Sequence, residues 1–181
     1  MSLFLATLLP GLFLALLGAV LCWNGVPLAR GAKALPRSRG AAWVLFGAGA
    51  AWFVWRISRL GESDLIFFQT PTLLMLAFAA LAVLSIIYSP DFLAVRGLAI
   101  LMLLGAEPLL YAAYMEWSHP QRLLMVTAVY LGLTAALYIA AYPFKLRDFF
   151  EWLFRTPGRP RLVGAILLTY GLATSAAAFT Y

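Results

Sequence analysis

Apolar residues in this chain come in long unbroken runs, and the short segments between the runs hold most of the charge. A bilayer core about 30 Å thick is crossed by roughly 20 apolar residues in a helix. Six runs approach or exceed that length: residues 3–23, 41–58, 65–88, 92–115, 122–142 and 162–180. Several carry a local stop or start signal. The turn Asn24-Gly25 follows the first, Pro71 falls in the first turns of the third, and Pro143 closes the fifth. The sixth is the weakest, because its C-terminal half is Ala, Ser and Thr; without it the count would be five.

Residues 144–155, FKLRDFFEWLFR, follow a different pattern. At helical spacing Leu146, Phe149, Phe150 and Leu153 share one face, while Lys145, Arg147, Asp148, Glu151 and Arg155 lie mostly on the other. Arg147 can pair with Glu151, and Glu151 with Arg155, each four residues on. A short helix with one aromatic and one charged face suits the headgroup plane. Pro143 argues against the alternative, a cytoplasmic extension of the fifth span. The predicted fold class is an all-α integral membrane protein: a six-helix transmembrane bundle with one interfacial amphipathic helix. The linkers are short, so residues 1–181 are read as a single polytopic membrane domain.

Composition strengthens this reading. The chain is 64% hydrophobic and 11% charged, against about 45–50% and about 25% in soluble domains. A soluble fold of this length has no interior large enough for that apolar surface, so the lipid bilayer is the first partner predicted. The net charge of +6 does not point to nucleic acid, because the basic residues sit in short runs between apolar segments. Arg30, Lys33, Arg37 and Arg39, then Arg96, then Lys145, Arg147, Arg155, Arg159 and Arg161 all fall on one side of a six-span topology. Those are ten of the 13 basic residues; the other side has Arg56, Arg59 and Arg122. Basic loops stay cytoplasmic, which puts both termini outside the cytoplasm and suits a bacterial inner (cytoplasmic) membrane. Met1 to Pro10 holds no Lys or Arg, so the first run is read as a retained helix rather than a cleaved signal. The single cysteine, Cys22, makes no internal disulfide.

Glu107 is the most informative polar residue. It lies nine residues before Glu116, about 13 Å along the axis at 1.5 Å per residue. A charge at mid-membrane costs on the order of 2.5–3.5 kcal/mol on insertion scales, so it needs a partner or a proton. Pro108 follows and cannot donate to the Leu104 carbonyl. Tyr111, Tyr114 and Arg96 lie along the same stripe of the helix. Arg56 is the expected charged partner: both residues sit toward the outer ends of spans that run in the same direction, within reach of a bending Arg side chain. Glu107, Arg56, Tyr111 and Tyr114 are thus expected to form a buried polar site that faces protein. It is either a proton- or cation-responsive centre or a pair that fixes helix register.

A second candidate is the polar stripe Tyr130, Thr134 and Tyr138, which could line a pathway or simply pack. Small residues at four-residue spacing predict close helix contacts: Gly11, Ala15 and Ala19; Gly47 and Ala51; Gly132, Ala136 and Ala140. The six tryptophans, mostly near run ends, suit interface anchors. His119 is the only histidine. The sequence has no metal-ligand cluster, phosphate loop or nucleophile motif, so no catalytic residue, cofactor or enzymatic activity is predicted. The leading expectation is a non-catalytic multi-pass protein, a subunit or partner-binding component of a larger membrane assembly, or one that self-associates. The alternative is a small transporter or channel using Glu107.

Overall fold

The computed structural model describes residues 1–61, 70–88 and 91–181. Regular structure among them is entirely helical: α1 (Leu3–Trp23), α2 (Val26–Ala34), a 3-10 turn (Leu35–Arg37), α3 (Arg39–Ile57), α4 (Pro71–Tyr88), α5 (Leu93–Ala113), α6 (Arg122–Ala141), α7 (Phe144–Leu153) and α8 (Gly158–Ala178). Six of these, α1, α3, α4, α5, α6 and α8, are long and apolar enough to cross a membrane. The first five residues of the predicted third span, 65–69, lie outside the described residues, and the described helix begins at Pro71.

Several ends move from their expected places for local reasons. Helix α1 keeps its expected bounds, ending at Trp23 because Asn24, with a left-handed φ of 49° and an N–H bond to the Val20 carbonyl, forms a C-cap. Helix α3 starts two residues early because the Ser38 hydroxyl caps it, accepting from the Ala41 N–H at 3.2 Å. Helix α5 ends at Ala113 rather than 115, where Tyr114 turns extended and Met115 left-handed. Helix α8 starts four residues before the expected 162, following Pro157, and ends at Ala178. Helix α7 ends at Leu153 rather than 155. The larger correction is α2: the first linker, read as a loop, holds a nine-residue helix with Pro27 in its first turn. Proline is tolerated there because that N–H has no helical acceptor.

Helix α5 is the hub, packed against α1, α3 and α6, while α8 lies along α1 and also touches α6. Helix α4 packs chiefly on α3 and has no buried residue. Small side chains dominate the core: Ala6, Ala106 and Ala113 surround Met125 and Val129, and Val95 and Ala99 meet Ala136 and Ile139.

Two helix pairs come close enough to exclude a side chain. Along α1 and α8, Gly11 faces Gly171 and Ser175, and Gly18 faces Gly164 and Leu168. Low numbers meet high ones, so the pair is antiparallel. A Cβ at Gly164 would stand 2.7 Å from the Cys22 backbone nitrogen, so only glycine fits. Along α3 and α5, Gly97 lies against the Phe46 backbone and Gly49 against the Ile100 side chain; numbers rise together, so this pair is parallel. The face used on α1 is thus Gly11, Ala15 and Gly18, with Ala19 exposed, and the one on α3 includes Gly49, with no atom near a Cβ at Gly47. Both differ from the spacing expected. A four-residue repeat drifts around a helix of 3.6 residues per turn, and these long contacts need a mixed three–four step.

Both termini sit at one end of the bundle. Thr7 and Tyr181 share a hydrogen bond at 3.1 Å, and His119 packs edge-on against Tyr181. At the other end the Asn24 amide donates to the Pro157 carbonyl at 3.2 Å, and Arg37 lies over the Phe92 ring. Helix α7 belongs to that second end, against α2 and the 3-10 turn. It is separate from α6: Tyr142 and Pro143 break the run. Its Leu153 is buried and Leu146 meets the Val95 cluster, while Phe149 is exposed. Arg147 donates to Asp148 at 2.8 Å and approaches Glu151 at 3.8 Å. The bond to Asp148, followed by its negative charge, raises the Arg147 pKa above its ordinary value.

Candidate functional site

The parallel α3–α5 pair keeps a constant register. Phe46 meets Gly97, Gly49 meets Ile100, and Arg56 meets Glu107; each pair is 51 residues apart. The contact changes character along this ladder. At Gly97 backbone touches backbone, at Gly49 it touches a side chain, and at Gly105 the nearest atom to a Cβ is the far edge of the Trp52 ring, at 3.9 Å. The wider gap, at the end of the bundle that holds the termini, is filled by long side chains. There an Arg56 Nη donates to a Glu107 carboxylate oxygen in an ion pair. Helix α5 runs on through Pro108 to Ala113.

The pair is not sealed inside the bundle. The side chains keep 44% (Arg56) and 56% (Glu107) of their accessible surface. Glu107 also lines an open cleft of about 470 Å³ with Leu103, Leu110, Tyr111, Tyr114 and Leu133. Tyr111 and Tyr114 are 77% and 70% exposed. The expectation of burial is therefore corrected: within this chain the site is open. The four residues share one region of the surface, and Glu107 meets its partner there. The reason is how α5 is surrounded: Gly97 turns to α3, Ala106, nine residues and half a turn round, faces α1 and α6, and Glu107, about 100° on from Ala106, falls between these two packed faces at the open rim.

The stripe Tyr130, Thr134 and Tyr138 also lies on the outer face of α6. The Thr134 hydroxyl donates to the Tyr130 carbonyl at 2.9 Å, so its polarity is absorbed by its own helix. Its packing counterpart is Ala136, fully buried against Val95 and Ala99. Periodicity identified residues that share a face, but not which way that face turns.

Polar side chains that are buried lie elsewhere. Thr7 and Thr174 are fully buried, and the Ser175 hydroxyl is buried beside Gly11 without a hydrogen-bond partner among the described residues. All three belong to α1 or α8, near the end that holds the termini. Their signal in the sequence was the Ala, Ser and Thr content of the last run, which read as weak hydropathy. At the same end the Arg122 guanidinium donates to the Ala113 carbonyl, the C-terminal residue of α5, and lies 4.9 Å over the Trp117 ring. A cation at a helix C-terminus complements the helix dipole.

Comparison with protein-family models, with curated proteins and with solved structures finds no match for this chain.

Proposed function

We propose that the chain is a non-catalytic, multi-pass subunit or partner-binding component of a larger membrane assembly, in a bacterial inner membrane with both termini outside the cytoplasm. One observation carries the first part: polar groups that would serve a pathway through the subunit, Glu107, Tyr111, Tyr114, Tyr130, Thr134 and Tyr138, all face outward. Outward polar groups at membrane depth are stabilised by meeting another protein. Helix α4, apolar and without a buried residue, offers a further free face. The orientation is supported by the gathering of the first linker, α7 and the start of α8 at one end, with the ten basic residues in those segments and near the start of α5.

The cleft beside Glu107 favours a second reading, a small transporter or channel whose path forms against a neighbouring subunit. Two measurements separate the readings. The full chain, purified in mild detergent, is expected to retain other membrane proteins at fixed stoichiometry and to give no ion flux when reconstituted alone. A proton or cation flux through the chain alone, abolished by Glu107→Gln, would overturn the subunit reading in favour of the second. For orientation, single cysteines at Ser2 and Tyr181 in a Cys22→Ser background should both react with an impermeant reagent in intact cells. Protection of either site would refute the topology.

A further inference from the structure

At the basic end, a cleft of about 270 Å³ opens between the 3-10 turn, α3, α4 and the start of α5. Arg37 and Arg39 line it together with Trp43, Ile86, Ile87 and Leu93. Two cations thus stand beside an apolar floor. Arg37 lies over the Phe92 ring at 5.6 Å, which holds the guanidinium plane while leaving its N–H groups for a ligand. Among the described residues neither arginine has a carboxylate or carbonyl partner. The first turn of α3 begins at Arg39, so the positive end of its dipole lies at the same place. From the cleft, the exposed Trp43 and Val44 of α3 and Leu84 and Ile87 of α4 continue an apolar surface along the helices.

We propose that this cleft is a binding site for one anionic phospholipid. Its headgroup phosphate lies between Arg37 and Arg39, and its acyl chains follow the outer faces of α3 and α4. The two halves of the cleft match the two halves of that ligand. Basic pockets between membrane helices at the cytoplasmic surface recognise anionic headgroups, and a free phosphate would leave the Trp43–Ile87 side unused. The volume accommodates a phosphate and glycerol, with the chains outside it. The inference rests on the membrane reading above. A failure of that reading would show separately, as a chain that stays monodisperse in aqueous buffer without detergent.

The test offers phosphatidylglycerol, phosphatidylcholine and inorganic phosphate to the full chain in mild detergent, with native mass spectrometry as the readout. One phosphatidylglycerol should be retained about tenfold over phosphatidylcholine, and inorganic phosphate should not bind. The Arg37→Gln/Arg39→Gln variant should lose that preference, while Arg30→Gln/Lys33→Gln, which removes two charges of the same end outside the cleft, should keep it. Equal retention of the two lipids, binding of inorganic phosphate alone, or an equal loss in both variants would overturn the proposal. A second readout needs no arginine variant. Phosphatidylglycerol with brominated chains should quench tryptophan fluorescence more than brominated phosphatidylcholine, and Trp43→Phe should remove the excess. An excess unchanged by Trp43→Phe would place the lipid elsewhere and sink the assignment.

Discussion

Helices α1 and α8 meet along their length through glycine, whereas α3 and α5 meet through glycine at one end and through an ion pair at the other. The first seam is closed: Gly11, Gly18, Gly164 and Gly171 bring backbones together, and the polar atoms it holds are hydroxyls of Thr7, Thr174 and Ser175. The second opens from Gly97 toward Arg56 and Glu107, and its charges stay half-exposed. In a setting where lipid is as apolar as a leucine side chain, association depends on close packing and on polar pairs. The two seams use these separately. A closed seam leaves no surface to share, while an open one presents polar groups to whatever lies alongside. Contact with a partner is therefore expected at α3–α5 and not at α1–α8.

The strongest way to break the comparison is to fill the closed seam. Gly171→Leu would drive a side chain into the Ala15 backbone, which cannot step aside. Overpacking of this kind costs about 3 kcal/mol, the upper end of its usual range. Thermal unfolding in detergent, followed by circular dichroism, should show the loss. Gly47→Leu is the matched control, since a Cβ there meets nothing within 4 Å; its effect on the isolated chain should stay within about 0.5 kcal/mol. If Gly171→Leu unfolds like the parent, the closed seam does not exist as described. If Gly47→Leu is harmless in the isolated chain but impairs assembly in the membrane, a partner sits on that face of α3.

Much of this contrast was hidden in the sequence, for physical reasons. Hydropathy finds what lipid tolerates, so it located the six long apolar helices, while Pro143 and the amphipathic pattern set α7 apart from α6. It undervalues Gly, Ser and Thr, the residues that pack most closely in α8, so the closed seam looked like the weakest span. Charge behaves differently: a carboxylate deep in an apolar run demands an explanation, and depth plus helix direction pointed to Arg56 as its partner, which the α3–α5 ladder brings to it. Whether the pair lies inside or outside could not be read that way. The answer depends on α5 having two packed faces, with Gly97 on α3 and Ala106 on α1 and α6, and on Glu107 falling between them. The missed helix α2 had a signal, Gly25 followed by Pro27, but Arg30, Gly31 and Lys33 made the segment read as a loop.

The open seam is sharpened by a double-mutant cycle on its charges. Neutralising one partner strands the other, at about 2.5–3.5 kcal/mol for a charge at mid-membrane and less toward the headgroups. Arg56→Gln and Glu107→Gln should therefore each destabilise the chain in a bilayer, and the double variant should recover most of the loss. A water-facing pair would show a coupling of only about 0.2–1 kcal/mol, reduced by salt. Coupling above about 1 kcal/mol and insensitive to salt is expected. A value that falls away in high salt would mean that water, rather than lipid or protein, covers the cleft at Glu107.

The smallest expected effect compares two threonines with the same hydrogen bond in the two settings. Thr174 and Thr134 each donate to the carbonyl four residues earlier, Tyr170 and Tyr130, at 2.9 Å. Thr174 is fully buried and Thr134 is exposed. Substituting Val keeps the shape and removes the hydroxyl, so the pair isolates environment from bonding. Each carbonyl also has its helical N–H, so neither is orphaned by the change. Thr134→Val should fall within about 0.5 kcal/mol of the parent. Thr174→Val loses a bond with no water or lipid headgroup to replace it, and about 1 kcal/mol is the scale for that loss. The ordering is the test, measured by unfolding in the same detergent. If Thr134→Val is the more damaging, its hydroxyl serves something beyond its own helix. The outer face of α6 would then belong with Glu107 in the surface that meets a partner.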